Sequence, residues 1–159
     1  MNTGSGMVAS IENSVLSNRI FSNQGLGIEL GFDGRTPNDT TTTPPDSDTG
    51  PNNLQNYPEI TSAEPTKQGK KKLTSIGGSL TSTPGKTFTV QIFSNPQGED
   101  EGRIFLGEAS VSTDSSGSAS FDLSVPRGKA PVGSAITATA TDPDGNTSEF
   151  SDPRTVSQS

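Results

Sequence analysis

Residues 134–150 read SAITATATDPDGNTSEF, and this stretch decides the fold class. Ile136, Ala138 and Ala140 alternate with Thr137, Thr139 and Thr141. A period of two places the apolar set on one face of a β-strand and the hydroxyls on the other. Asp142-Pro143-Asp144-Gly145-Asn146 is turn chemistry: proline presets φ, and glycine or asparagine accepts a positive φ. The segment therefore predicts a strand, a tight turn and a second strand ending near Phe150, the last hairpin of a β-sandwich.

The same alternation extends upstream. Phe88, Val90 and Ile92 alternate with Thr87, Thr89 and Gln91, and Phe93 breaks the pattern at the strand end. Ile104 to Thr113 reads as a strand with Ala109 and Val111 in phase, and Asp114-Ser115-Ser116-Gly117 as a hairpin turn. Ala119, Phe121, Leu123 and Val125 alternate strictly, while Leu73, Ile76 and Leu80 mark a first strand broken at Gly77-Gly78. Short strands with turn signals about every 8–12 residues predict a two-sheet antiparallel sandwich over residues 73–159. Phe88, Phe121 and Phe150 are its expected core rings, because only 26% of the chain is hydrophobic and 5% aromatic.

Composition excludes several chemistries. The chain has no Cys and no His, which removes disulfides, thiolate metal sites, imidazole bases and Ser-His-Asp triads. A net charge of −7 disfavours nucleic acid and anionic membrane surfaces. No apolar run is long enough to span a membrane as a helix. Residues 1–16 lack the basic and apolar regions of a signal peptide, so an exported form is expected to be a mature chain or an internal fragment. Lys70-Lys71-Lys72 is the only basic run and reads as a solvated stretch before a strand.

Residues 1–32 differ from the sandwich: Asn13, Asn18 and Asn23 recur every five residues, with Val15, Ile20, Phe21, Leu26 and Ile28 among the aliphatic and aromatic positions between them. The pattern Asn18 to Ile28, N-x-I-x-S-N-x-G-x-G-I, resembles the parallel β-helix repeats of bacterial surface proteins. Residues 33–72 are crowded with Pro, Thr, Asp and Asn and read as a linker. Within them, DGRTPND and DSDTGPNNLQNYPEITSA look like the connector that follows the terminal coil in those proteins. The Asp114-x-x-Gly117-x-Ala119-x-Phe121 strand and the closing ATATDPDGNTSEFS are similar to bacterial immunoglobulin-like repeats. The resemblance implies an all-β chain: an immunoglobulin-like antiparallel sandwich preceded by a short β-helix-like coil and a linker. It also implies a bacterial cell-surface or secreted location.

Two oxygen clusters are candidate calcium sites. Asp46-x-Asp48-x-Gly50 has the alternating spacing that brings carboxylates onto one hard cation, with Asp39, Asn38 and Asn52 able to complete the oxygen set. Position twelve of that loop is Tyr57, so it is no complete EF-hand. Asp142, Asp144, Asn146 and Glu149 form the second cluster, and plain turn chemistry also explains them. Glu99-Asp100-Glu101 is the only acidic triplet, and adjacent acids in a glycine-flanked loop face water more often than they form a hydrolase pair.

The reading is a non-catalytic structural or adhesive module. Its partners are neighbouring domains of the same surface protein, a second copy of itself, a glycan or a cell-surface protein. One alternative is a subunit of a self-assembling filament, joined through Val15, Ile20, Phe21, Leu26 and Ile28 on its N-terminal strands. Another is a calcium-dependent glycan-binding module, although the chain offers no Trp and a single Tyr for stacking.

Overall fold

The computed structural model describes residues 10–158. Residues 1–9, with which the expected N-terminal unit begins, lie outside the described residues. Seven strands follow in chain order: β1 (Glu59–Gln68), β2 (Lys71–Thr81), β3 (Thr87–Asn95), β4 (Ile104–Ser112), β5 (Ser118–Pro126), β6 (Ala135–Thr141) and β7 (Arg154–Thr155). They form a three-stranded sheet, β1-β2-β5, and a four-stranded sheet, β4-β3-β6-β7. Every pairing is antiparallel. The chain is all-β, and its two sheets pack as a sandwich.

The alternating residues face one another across the interior. Ile76, Leu80, Phe121 and Val125 from one sheet meet Phe88, Val90, Ile92, Val111, Ile136, Ala138 and Ala140 from the other. Gly77 and Gly78 do not break β2, contrary to expectation; the strand runs through them. Gly78 sits opposite Phe121, and a Cβ there would lie 2.4 Å from the tip of that ring. The missing side chain is the space into which Phe121 folds.

Strand β1 lies inside the segment read as a linker. Pro65 interrupts its pattern, and proline is tolerated because β1 is a sheet edge. The turn at Asp114–Gly117 also differs from expectation. It carries the chain from β4 in one sheet to β5 in the other rather than closing a hairpin. Asp114 Oδ1 still organises it, accepting from the Ser116 and Ser118 amides.

The final hairpin is only partly a ladder. After β6 a single bridge joins Thr141 to Thr147. Beyond it, Ser148 and Ser151 donate their amides to Ala140 O and Ala138 O. Their hydroxyls accept from the Ala140 and Ala138 amides. Two serine side chains thus replace the carbonyls that a regular strand would offer.

Both faces of β6 are buried, including Thr137, Thr139 and Thr141. On the hydroxyl side Thr137 meets Glu101 and Thr141 meets Thr147, and residues 10–36 are bonded to this same layer through Asn146, Thr147, Gln91 and Glu101. No β-helix coil is formed by these described residues: their one backbone bridge to the sandwich is Ile20 to Gly102. They run as an irregular strap across the outer face of the four-stranded sheet. Phe150 belongs to this outer layer and not to the main core. It packs edge-on against Phe93, centroids 5.5 Å apart, and Phe93 in turn packs on Phe105. Phe93 is able to do so because the β3–β4 register shifts between Ile92 and Phe93.

Candidate functional site

The strap is held by buried polar side chains of the sandwich reaching for its amides. Glu12 N donates to Asn146 Oδ1 (2.7 Å), Val15 N to Thr147 Oγ1 (2.9 Å) and Ser17 N to Gln91 Oε1 (2.8 Å). Asn23 donates through its side-chain amide to Glu101 Oε1 (2.7 Å). Glu149 accepts from Leu30 N (2.8 Å) and Thr36 N (2.7 Å), one on each carboxylate oxygen. Burial pushes the Glu149 carboxyl above its ordinary range, and those two amides oppose the shift. Arg35 closes the strap by donating to Phe150 O, Asp152 and Asp100.

Glu149 is therefore a clasp. Glu149→Ala will strip the acceptors from two strap amides, each worth about 1–3 kcal/mol when left unsatisfied in a buried setting. Amide exchange measured residue by residue will show Leu30 and Thr36 losing protection while the β3 amides keep theirs. Unchanged protection at Leu30 would show that the clasp does not hold the strap.

The second expected calcium cluster does not converge. Asp142 caps its own turn, accepting from the Asp144 and Asn146 amides and from Asn146 Nδ2. Asp144 points outward to Lys86 at 3.8 Å, while Asn146 and Glu149 serve the strap. The acidic triplet is dispersed in the same way. Glu99 pairs with Arg103, Asp100 with Arg35, and Glu101 is buried against Asn23.

The first cluster converges. Carboxylate oxygens of Asp39, Asp46 and Asp48 all lie within 4.8 Å of one another. The connector between strap and β1 brings them there. Asp46 N donates to Asp39 O (3.1 Å), and Ser47 N donates to Asp39 Oδ2 (3.0 Å). Asp46 is fixed from the sandwich side: Asn56 N donates to its Oδ1, and Gln55 Nε2 and the Ser82 hydroxyl donate to its Oδ2. Asn38 and Tyr57 exchange two bonds, Asn38 Nδ2 to Tyr57 O and Tyr57 N to Asn38 Oδ1, which pin the start of the loop.

Two oxygens in this cluster are conspicuous. Asp39 Oδ1 and Asp48 Oδ1 are shielded from solvent and have no hydrogen-bond partner. No ion pair among the described residues involves any of the three carboxylates. Burial pushes the Asp46 carboxyl up to about 6, with the charges of Asp39 and Asp48 adding to it. Asp48 is raised by burial and then by Asp39. Three carboxylates crowded without a counter-charge are unfavourable alone and suited to a hard divalent cation, which takes oxygen ligands at about 2.3–2.6 Å.

Of the expected interface residues, Val15, Ile20, Leu26 and Ile28 are half-buried and only Phe21 is exposed. Tyr57 lines a cleft of about 400 Å³ with Asn38, Glu59, Asp152 and Arg154, and no second aromatic ring lines it. Among the described residues, no helix is long and apolar enough to cross a membrane. No family model matches the chain, and no curated protein matches it.

Proposed function

We propose that this chain is a non-catalytic structural module of a bacterial cell-surface or secreted protein, in which calcium locks the connector between strap and sandwich. The observation that carries the reading is the convergence of Asp39, Asp46 and Asp48 around two shielded, unpartnered oxygens. The cluster sits where a spacer needs rigidity. It ties residues 39–48, which lead out of the strap, to Asn56 and Ser82 of the sandwich. Asp39, Asp46 and Asp48 would hold the ion, whose charge would offset their mutual repulsion. Location and the structural role rest on the resemblance of the Asp114–Phe121 and Ala138–Ser151 stretches to bacterial immunoglobulin-like repeats.

Calorimetric titration with calcium at neutral pH tests the reading, alongside thermal melts in calcium and in EDTA. One ion per chain is expected. At a calcium concentration a hundred times Kd, stabilisation is about 2.7 kcal/mol, several degrees in Tm for a chain of this size. Asp48→Asn will erase that shift. It will also raise the calcium-free Tm, because it removes one of three crowded charges and leaves the Asp46 hydrogen bonds intact. Absence of calcium heat, or an equal calcium shift in Asp48→Asn, would overturn the site.

A further inference from the structure

The strap is apolar on two sides at one period. Ile11, Leu16 and Phe21 stand five residues apart and remain 48, 40 and 39% exposed. Each is followed by a non-glycine residue in the left-handed region: Glu12 (φ 62°), Ser17 (φ 56°) and Ser22 (φ 63°). That conformation costs about 1–2 kcal/mol per residue and persists only where the surroundings impose it. Here the sandwich helps to impose it, since the Glu12 and Ser17 amides are drawn onto Asn146 and Gln91. The repeated bends leave Val15 and Ile20 half-buried and the preceding large side chains open to solvent. One exposed leucine needs no explanation, whereas three large apolar side chains recurring at one interval, each before a left-handed residue, are a regular feature of the strap.

We propose that the row docks a second copy of this chain, the two straps stacked antiparallel about a two-fold axis at Leu16. The row is symmetric about Leu16, with Ile11 five residues before it and Phe21 five after. Reversed, it falls on itself: Ile11 meets Phe21 of the second copy and Leu16 meets Leu16. The charges select the antiparallel arrangement. Glu12 stands at one end; at the other the guanidinium carbon of Arg19 lies 5.4 Å from the Phe21 ring centre, and that of Arg103, which Glu99 neutralises, lies 4.7 Å from it. No ion pair among the described residues uses Glu12 or Arg19. Antiparallel stacking sets Glu12 of one copy beside Arg19 of the other, whereas parallel stacking would put like charges together.

Such a contact is isologous and closes at two copies. It thereby differs from the open filament that is the alternative reading of the sequence. Three apolar side chains per copy make an interface well below the roughly 1,000 Å² of a durable complex. Association is therefore expected at about 0.1–1 mM.

Sedimentation velocity of the full chain, from dilute solution to about 1 mM, tests the proposal. The sedimentation coefficient should rise towards a dimer and stop there. Leu16→Arg places two like charges on the axis and should abolish the rise while leaving Tm unchanged. Glu12→Arg should weaken association about tenfold, and adding Arg19→Glu should restore it. A monomer at the highest concentration would overturn the proposal. So would growth beyond two copies, a dimer surviving Leu16→Arg, or a double charge reversal that restores nothing.

Discussion

Replacing Phe121 by alanine will destabilise the sandwich by about 3–5 kcal/mol, a large part of the stability of a domain this size. The ring is nearly inaccessible and belongs to the main core cluster. Its tip lies over Gly78 on the neighbouring strand, where no side chain exists to fill the space left behind. The β2–β5 ladder pairs nine residues from Leu73 to Thr81 with Ser118 to Pro126, so the backbone resists collapse into the hole. A cavity that cannot relax gives the upper part of the large-to-small range. Phe121→Leu, which keeps most of the volume, should cost about 1–2 kcal/mol. Phe32→Ala, at a ring 79% exposed, should stay within about 0.5 kcal/mol of the parent. Urea denaturation of the three variants checks the order, and a Phe121→Ala midpoint equal to the parent's would refute this account of the core.

The inner faces of the sheets were legible because alternation is a local signal. Phe88, Val90 and Ile92, or Ala119, Phe121, Leu123 and Val125, declare their face without reference to any partner. Partner choice is not local. Asp114–Gly117 has the chemistry of a tight turn whether the next strand pairs beside β4 or crosses to β2. It crosses, and Phe121 packs over Gly78 on the neighbouring strand. Glycine pairs carry the same ambiguity: Gly77-Gly78 looks like a break in one dimension and is a receptacle in three. Strand β1 was hidden by Pro65, whose missing donor is harmless at an edge.

The convergence of the three aspartates was legible for a similar reason, and the clasp was not. Asp46 and Asp48 are two residues apart, so their alternation was readable, and Asp39 lies close in the chain. Glu149 looked like a companion of Asp142 and Asp144 because it is near them in sequence. Its partners, Leu30 and Thr36, are more than a hundred residues away. The buried threonine face of β6 held a clue. The hydroxyl face of this strand is buried, with Thr137 donating to Glu101 O, Thr141 bonded to Thr147, and Thr139 Oγ1 without a partner. A threonine face is equally suited to solvent and to a polar strap, and the sequence of β6 alone does not distinguish them.

Calcium-free stability will fall as pH rises from about 4 to 6, and calcium will flatten that fall. Asp46 has a folded pKa of about 6 against an ordinary value of 3.8, chiefly through burial. The folded state therefore holds a proton that the unfolded chain has released across that window. Where the native state binds more protons, stability declines with rising pH. About two pKa units correspond to roughly 3 kcal/mol, fully expressed above pH 6 and absent below the ordinary value. Asp48 and Glu149, both raised by burial, act in the same direction. Asp114 acts oppositely: hydrogen bonds from Ser116 and Ser118 lower its pKa, and its contribution is lost as pH falls. A cation held by the three aspartates would bind their ionised form, so it would compete with the proton and stabilise most where the calcium-free chain is weakest. Urea unfolding at half-unit pH steps, in EDTA and in calcium, should give curves that coincide near pH 4 and diverge above 6. Calcium-free stability that instead climbs steadily from pH 4 to 7 would mean that Asp46 is not held in the crowded, shielded setting described, and with it the physical case for an ion at this loop would fall.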